Sequence, residues 1–262
     1  MTKFEMGKLK SILVGGILIM SLIVGGCSKE NTKDKIILGT SADYPPYEFH
    51  IVDGEDKIVG FDIDIANEIA KDLGKELEIK DMNFGGLIAA LKSDSVDFVI
   101  AGMNADEERA KEVDFSNIYY SAAQGIIVAN DATEIINMED LKGLTVGVQK
   151  GTVQEKIVQD LVVKEKIVGL NKIGDLIMQL KNKKIDAILV ELPVAKAYSS
   201  KNTDLKVINP EYISDTKGFA VAIKKGNKEL VDQINQTLNR LEKEGKLEEY
   251  LISNIEKANI EE

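Results

Sequence analysis

The chain has 262 residues, 44% of them hydrophobic, which is enough to form the buried core of one large domain or of two modest lobes. Its net charge of −11 argues against a nucleic-acid partner and against broad contact with anionic lipid headgroups. One cysteine excludes an intramolecular disulfide, and one histidine is too little for a multi-histidine metal site, so we expect neither a metal nor a cofactor.

The first 26 residues have the pattern of a secretory signal peptide. Three lysines precede an apolar run over 12–24 that only Ser21 interrupts, and two glycines then lead to Cys27. The run is too short for a membrane-spanning helix, which needs about 20 apolar residues. We therefore predict a signal peptide over 1–26.

Cys27 changes the expected mature protein from a freely secreted one to an anchored one. The sequence VGGC ending at Cys27 resembles the bacterial lipobox, in which the cysteine receives a diacylglyceryl group before cleavage in front of it. Two acyl chains of the palmitate kind, at roughly 0.8 kcal/mol per buried CH2, hold a protein on a bilayer. The alternative is an unmodified cysteine at a buried helix end. Residues 27–35 would form a flexible tether, and the lipid would be the only contact with the membrane. The protein would then lie on the extracellular face of a cell membrane, as on a Gram-positive cell surface.

Short apolar runs alternate with amphipathic stretches in the rest of the chain, a pattern typical of parallel sheets with crossover helices. In the first half, the runs predict strands over 36–39, 77–82 and 96–101 and helices over 62–73 and 87–92. Asp62 or Asp64 can cap the first helix, Gly74 can end it, and Asp106 can cap a further helix.

The pattern begins again after residue 120. It predicts strands over 124–129, 144–148, 185–190 and 219–223 and helices over 151–163 and 173–180. A last helix carries Leu230, Ile234, Leu238 and Leu241 at helical spacing, and Gly245 ends it. The sequence thus predicts two α/β units between which the chain crosses more than once, with a ligand site at the carboxyl ends of the strands.

Seven segments in register resemble one family, the amino-acid-type substrate-binding proteins of ABC importers, which are the bacterial extracellular solute-binding proteins of family 3. The resemblance covers nearly all of 36–254. The segments that carry it are GTSADYPPYEF (39–49), GFDIDIANEIA (60–70), FGGLIAALKSDSVDFVIAGM (84–103), ERAKEVDFSNIYY (108–120), LKGLTVGVQKGTVQE (141–155), IDAILVELPVAKAY (185–198) and KGFAVAIKKGN (217–227).

The resemblance implies an α/β protein with the two-lobed, periplasmic-binding-protein-like fold of type II. Lobe 1 would comprise 36–122 plus 214–262 and lobe 2 would comprise 123–213, joined by two hinge strands and closing over one free L-amino acid. The implied partners are the permease and ATPase of an ABC importer, and the implied state is a monomer.

Arg109 is the candidate for binding the ligand's carboxylate. Its planar guanidinium can bind both oxygens at once, and it follows a strand and Gly102 near a helix start, where free N–H groups favour anions. In the family, the arginine of this motif holds the ligand carboxylate. The alternative is a surface arginine paired with Glu108 or Glu112.

Gly151, Thr152 and Val153 are the candidate second half of this carboxylate clamp. A glycine before a helix start presents N–H groups to an anion, and the Thr152 hydroxyl can add a donor. The family uses this turn from the second lobe, which implies a contact made only on closure. The alternative is an ordinary turn and helix cap.

Glu191 is the candidate for binding the ligand's ammonium group. It directly follows a buried apolar strand, where an unpaired charge is costly. Family members usually have aspartate at this position, one methylene shorter. The alternative is an ion pair between the lobes.

Aromatic residues resemble the family's pocket for the ligand side chain, with core packing as the alternative, chiefly for Phe84. Backbone groups and one amide are expected to add polar contacts. The aromatic candidates are Tyr44, Phe61 and Phe84, and the polar ones are Ala101, Gly102 and Asn104.

Two positions depart from the family pattern and bear on the ligand. Asp106 stands where relatives often have a threonine that helps to bind the ligand carboxylate, and an aspartate can cap the helix or bind the ammonium instead. Ser41 stands where relatives that bind basic amino acids place an aspartate, although Asp43 or Glu48 can substitute. The acidic charge and the ring-lined pocket favour a polar or basic amino acid.

Two other classes of function remain open, although we expect a binding protein rather than an enzyme. An exported prephenate or arogenate dehydratase shares this fold and needs a carboxyl group that protonates a leaving hydroxyl, for which Glu191 or Asp106 can be proposed. An extracellular sensor domain is the third class, but such domains are usually fused to a membrane helix and a signalling module.

Overall fold

The computed structural model describes residues 34–212 and 218–260. The predicted signal peptide, the lipidation site Cys27 and most of the predicted tether therefore lie outside the described residues. No helix within the two described ranges is both long enough and apolar enough to cross a membrane.

The described residues form thirteen strands and eight α-helices. The strands are β1 (Lys35–Thr40), β2 (Asp43–Tyr44), β3 (Glu48–Asp53), β4 (Glu55–Val59), β5 (Glu76–Asp81), β6 (Phe98–Val99), β7 (Val113–Phe115), β8 (Gln124–Ala129), β9 (Val146–Gln149), β10 (Ile167–Leu170), β11 (Ala187–Glu191), β12 (Leu205–Ile208) and β13 (Ala222–Lys224). The helices are α1 (Phe61–Asp72), α2 (Leu87–Lys92), α3 (Arg109–Glu112), α4 (Val153–Leu161), α5 (Ile173–Lys181), α6 (Leu192–Ser200), α7 (Lys228–Lys243) and α8 (Lys246–Ile260).

Five strands form the first sheet, in the order β5-β1-β6-β13-β7. Strand β1 pairs in parallel with β5 and β6, whereas β13 pairs antiparallel with β6 and β7. Because β13 follows the whole second sheet in sequence, the chain crosses from one sheet to the other and back, as the sequence predicts.

The second sheet has the order β10-β9-β11-β8-β12, and a small antiparallel sheet has the order β2-β3-β4. In the second sheet, β9 pairs in parallel with β10 and β11, and β8 pairs antiparallel with β11 and β12. Each large sheet carries its own helices, so the chain has the predicted two-lobed α/β fold.

Two segments connect the sheets, residues 116–123 on the way out and, on the way back, a segment of which residues 209–212 and 218–221 are described. They meet at Phe219, which forms isolated bridges with Asn104 and Tyr120. The Tyr119 N–H also donates to the Phe219 carbonyl oxygen over 2.9 Å. The lobe boundaries at 122/123 and 213/214 stay predictions, and the second boundary falls among the residues that are not described.

The start of α1 differs from the prediction, because Gly60 and neither Asp62 nor Asp64 precedes the helix. Gly60 has a φ of +139°, and a Cβ there would lie 2.0 Å from the Tyr47 carbonyl oxygen, so only glycine fits. The predicted side-chain cap is therefore wrong. Both aspartates bond elsewhere, Asp64 by accepting from Asn254 Nδ2 over 2.6 Å.

Most other predicted elements are present within a few residues of their predicted ends. Gly74, with a φ of +68°, ends α1 as predicted. Gly245 ends α7, but α8 follows it, so α7 is not the last helix. The predictions also lacked the small sheet, β7, β10, β12 and α6, and they made β6 longer than it is.

Aromatic side chains fill the first lobe beside the connecting segments. The Tyr47 and Phe219 rings meet edge to face with centroids 5.1 Å apart, and the Tyr120 ring packs against both. Phe61 and Tyr119 complete this aromatic cluster. Because its members come from the β2–β3 turn, α1 and both connecting segments, the cluster fixes the junction against the first lobe.

Candidate functional site

A small cavity of about 10 Å³ lies at the carboxyl ends of β1, β6, β9 and β11, lined from both sheets. Parallel sheets place ligands at this end, and the cavity between the two lobes has room for about one water molecule. Nine predicted site residues line it, together with Phe84 and three further residues. The lining comprises Ser41, Tyr44, Glu48, Phe84, Ala101, Gly102, Asn104, Arg109, Gln149, Thr152, Val153, Gln154 and Glu191.

Arg109 begins α3 and is buried on the cavity wall. Its Nη1 donates to the Asn104 carbonyl oxygen and its Nη2 to the Gly151 carbonyl oxygen, each over 2.7 Å. Each of these nitrogens carries a second N–H, so two donors of the guanidinium remain for a carboxylate. Arg109 is thus held from both lobes and is not a surface arginine paired with Glu108 or Glu112.

The Phe84 ring supports this guanidinium, since the Arg109 Cζ lies 5.3 Å from the ring centroid. A cation over an aromatic face is favoured, so the ring stabilises the guanidinium at this position. Phe84 therefore lines the cavity. Phe61 does not, because it is the first residue of α1 and its ring packs on Tyr47, with centroids 6.4 Å apart.

The start of α4 forms another part of the cavity wall. Thr152 is its N-cap, and its hydroxyl accepts from the Glu155 N–H and donates to the Gln149 carbonyl oxygen over 2.7 Å. The hydroxyl proton is used within the turn, and a contact between this hydroxyl and a ligand stays a prediction. The backbone N–H groups of Thr152 and Val153, at the helix start, are the groups suited to an anion.

Gly151 acts through its backbone and does not itself line the cavity. Its N–H donates to Glu155 Oε2 over 2.8 Å, and its carbonyl oxygen accepts from Arg109. Its φ is +80°, and a Cβ there would lie 3.2 Å from the Gly85 Cα. The turn before α4 thus packs closely against the turn before α2, from the other lobe.

Asp106 does not line the cavity either. Its Oδ1 accepts from the Arg109 N–H over 2.8 Å, and its Oδ2 lies 3.1 Å from Lys156 Nζ. Burial alone would raise its pKa, but the Arg109 N–H and the charges of Arg109 and Lys156 outweigh burial and lower the pKa overall. Of the two predicted alternatives, the structure gives the helix cap.

Glu191 ends β11 and is buried at the cavity. Its Oε1 accepts a long hydrogen bond of 3.4 Å from Asn104 Nδ2, and its Oε2 has no hydrogen-bond partner among the described residues. Burial raises the pKa of Glu191 to about 8. The contact between the lobes is therefore with a neutral amide, and the carboxyl group can still receive a cation.

Glu48 is a second buried carboxyl group on the wall, and neither of its oxygens has a hydrogen bond of normal geometry within the described chain. Burial, followed by the charge of Asp62, raises its pKa well above the ordinary value. From sequence, Glu48 was considered only as a substitute for an aspartate at 41. The Asp53-Gly54 turn, a hairpin signal, could have placed it more firmly.

Asp62 is a third buried carboxyl group and lies beside Glu48, behind the cavity wall. Its Oδ2 accepts from the Gly102 N–H over 2.7 Å and from the Tyr119 hydroxyl over 2.9 Å. Burial raises the pKa of Asp62 to about 6, although both hydrogen bonds oppose the shift. Glu48 and Asp62 together form an acidic pair that the charge pattern of the sequence did not reveal.

Neutral groups complete the wall. The Tyr44 ring packs over Gly102, where a Cβ would lie 3.3 Å from the ring. Gln149 and Gln154, which no sequence argument singled out, lie within the segment 141–155. Uncharged amides in a turn carry no distinctive signal, which explains the omission. Within the two described ranges, no group of acidic, histidine or cysteine side chains is arranged to hold a metal ion.

Known proteins resemble the chain over nearly its whole length. The family model described as bacterial extracellular solute-binding proteins, family 3, matches residues 36–254. The arginine-binding extracellular protein ArtP of Bacillus subtilis (strain 168) is 41% identical over 243 residues, which cover 90% of this chain and 93% of that protein.

Solved structures agree with this similarity. The amino acid ABC transporter substrate-binding protein AbpA of Streptococcus pneumoniae Canada MDR_19A, bound to L-arginine, has a TM-score of 0.82 and 36% identity, covering 87% of this chain and 97% of that chain. An ancestral arginine-binding protein bound to glutamine has a TM-score of 0.78 and 37% identity, covering 88% and 99%.

Proposed function

The chain belongs to the bacterial extracellular solute-binding proteins of family 3, and on that premise we propose that its ligand is a cationic amino acid, with L-arginine the first candidate. It functions as the substrate-binding protein of an ABC importer for amino acids. The identity of the ligand, the roles of the individual residues and the membrane anchor belong to the proposal.

Charge balance in the cavity is the observation that carries the ligand proposal. Glu48 and Glu191 are both buried in the wall without a cationic partner among the described residues, and Arg109 is the cation on the same wall. A buried carboxylate without a partner is unfavourable, so each accepts a positive group readily. A ligand with one carboxylate, one ammonium and one cationic side chain matches the three charges.

In this proposal, each part of arginine has its own position on the cavity wall. Arg109 and the N–H groups at the start of α4 would bind the α-carboxylate, and Glu191 with Asn104 would bind the α-ammonium. Glu48 would receive the guanidinium near Tyr44. These groups come from both lobes, since Glu191 and α4 belong to the second sheet's lobe and the others to the first, and contacts such as Arg109 with Gly151 already join the lobes.

Charge and shape can be separated with citrulline, which has nearly the shape of arginine but a neutral side chain. Calorimetry should show arginine binding about 10- to 150-fold more tightly than citrulline, since a charged hydrogen bond contributes about 1.5–3 kcal/mol. Lysine and ornithine would test the need for a planar group, and glutamine is a further neutral control. Equal affinity for arginine and citrulline would contradict the proposed role of the charge.

We infer that the protein releases its ligand without converting it chemically. The family and the relatives are binding proteins, and Glu191, although its pKa of about 8 suits a proton donor, is accounted for as an ammonium acceptor. Incubation with prephenate or arogenate tests the dehydratase alternative. An aromatic product formed in proportion to protein concentration would overturn this inference.

We also propose that lipid on Cys27 holds the protein on the cell surface beside its importer, as a monomer on the tether. This proposal is supported by the sequence around Cys27 alone. The Cys27→Ser variant should keep its ligand affinity but leave the membrane fraction for the medium. Retention of the variant on membranes, with no loss of binding, would show that another feature anchors the protein.

A further inference from the structure

Asp43 lies beside the cavity and joins the two lobes. Its neighbours Ser41 and Tyr44 line the cavity, but its own side chain does not. Only 14% of the Asp43 side chain is exposed. Within its own lobe, Asp43 Oδ1 accepts from the Ser41 hydroxyl over 3.1 Å, and its other side-chain partners come from the second lobe.

The shortest of these contacts is at the start of α5. The Ile173 N–H donates to Asp43 Oδ2 over 2.8 Å, and Lys172, the residue at the N-cap position, provides no side-chain cap. Asp43 therefore serves as the helix cap from the opposite lobe. Lys172 adds charge, with its Nζ 3.7 Å from Asp43 Oδ1 and 3.9 Å from Asp81 Oδ1.

The same carboxylate also holds a cavity residue from each lobe. Gln149 Nε2 lies 3.4 and 3.5 Å from the two Asp43 oxygens and also donates to the Asn171 carbonyl oxygen over 3.0 Å. Ser41 is held from the first lobe. In addition, the Tyr198 hydroxyl donates to the Asp43 backbone carbonyl oxygen over 2.9 Å.

A second ionic contact between the lobes provides a comparison. Lys156 Nζ lies 3.1 Å from Asp106 Oδ2 and 2.6 Å from Glu108 Oε2. The Lys156 side chain is 45% exposed and that of Glu108 is 72% exposed. Solvent screens such pairs, so this contact should add little. Asp43 is more buried and has a backbone N–H donor as well.

We propose that Asp43 is a positioning residue that latches the closed protein, capping α5 across the cleft and fixing Ser41 and Gln149 around the ligand's side chain. This inference rests on the proposed closure over an amino acid. Because the second-lobe donors separate from Asp43 when the lobes part, the latch acts on ligand release more than on ligand entry. A fold-stabilising role alone would affect the open protein equally.

Release kinetics and unliganded stability together test the latch. Radiolabelled L-arginine is bound to the unaltered protein and to the variants Asp43→Ala, Asp43→Asn and Lys156→Gln, and its loss is followed after dilution into excess unlabelled arginine. We expect release from Asp43→Ala to be at least about tenfold faster, because charged hydrogen bonds are lost. Asp43→Asn should lie between, because asparagine can still cap a helix but cannot pair with Lys172. Lys156→Gln should stay within about threefold of the unaltered protein.

Thermal unfolding without ligand should be the same for all four proteins. Release from Asp43→Ala within about twofold of the unaltered protein would overturn the latch, by the same hydrogen-bond magnitudes. Equal losses of Tm with and without ligand would also overturn it, in favour of a structural role. If Asp43→Ala does not fold, Asp43→Asn decides: unchanged release contradicts the proposal and faster release supports it.

A failure of the ligand proposal can be distinguished from a failure of the latch. If the unaltered protein retains no labelled arginine, arginine is not the ligand, and the amino acid that raises the Tm most is used in its place. The ratio of release rates between the variants then tests the latch as before.

Discussion

Replacing Glu48 by glutamine should remove the preference for a cationic side chain while leaving the fold intact. Burial, followed by the charge of Asp62, raises the pKa of Glu48 well above its ordinary value, which favours the uncharged carboxyl group when no cation is present. Glutamine has nearly the shape of that neutral acid. We therefore expect the unliganded Tm to change little.

The expected loss follows from the burial of Glu48. A fully buried carboxylate that binds a guanidinium forms charge-assisted hydrogen bonds, which contribute about 1.5–3 kcal/mol. Arginine should therefore bind the Glu48→Gln variant about 10- to 150-fold more weakly, at about 1.4 kcal/mol per tenfold change. Citrulline, which has no charge to lose, should change by less than about threefold.

The assay is a cycle of four titrations by calorimetry, with two proteins and two ligands at one pH and ionic strength. The coupling energy between residue 48 and the ligand charge should come to about 2 kcal/mol. Two results would refute the reasoning. Arginine affinity within about threefold of the unaltered protein would show that Glu48 does not bind the charge, and equal weakening of both ligands would show a general distortion of the cavity.

Two further predictions concern other buried charges. Arg109→Ala should weaken amino-acid binding by about 3 kcal/mol or more, because a bidentate contact with the ligand carboxylate is lost. The control variant Arg240→Ala, which removes a partly exposed arginine from an ion-pair network, should not weaken binding. Near-normal calorimetric affinity of the Arg109→Ala variant would disprove the clamp. The pKa of Asp62 is about 6 in the folded protein and lies above its ordinary value of 3.8. Asp62 should therefore make the unliganded protein less stable as the pH rises from about 3.8 to about 6. Urea unfolding between roughly pH 4.5 and 7.5 should show a loss of about 2 kcal/mol that Asp62→Asn lacks, and parallel pH profiles for the two proteins would contradict the assignment.

Much of the fold was predictable because it depends on local patterns. The apolar runs that became β1, β8 and β11 are continuous and bounded by polar residues, which is typical of buried strands. Gly74 ended α1 as expected because the left-handed backbone there favours glycine. The cap of α1 failed because the close approach of Gly60 to Tyr47 is a tertiary contact that residue spacing does not report.

The candidate site was predictable where it coincides with strand ends and helix starts. Arg109 comes after β6 of the first sheet and Glu191 ends β11 of the second, so each is expected near the carboxyl ends of the strands in its own lobe. Whether Phe61 or Phe84 faces the cavity depends on how α1 and the turn before α2 pack in the fold, which the sequence does not fix. The hydrogen bond from the Thr152 hydroxyl to the Gln149 carbonyl oxygen was not predictable, because a donor's partner is visible only in three dimensions.

The two ends of the cavity are built on different parts of the chain, and this division bears on how such receptors diversify. Asn104 contacts Glu191 and is bridged to Phe219 of the connecting segment, so the end proposed for the α-ammonium group is tied to the junction between the lobes. The end proposed for the side chain takes Ser41 and Glu48 from one short stretch of the first lobe. A gene duplicate could therefore acquire a new nutrient through a few codon changes in that stretch, while the moving joint and the recognition shared by all amino acids remain under unchanged selection.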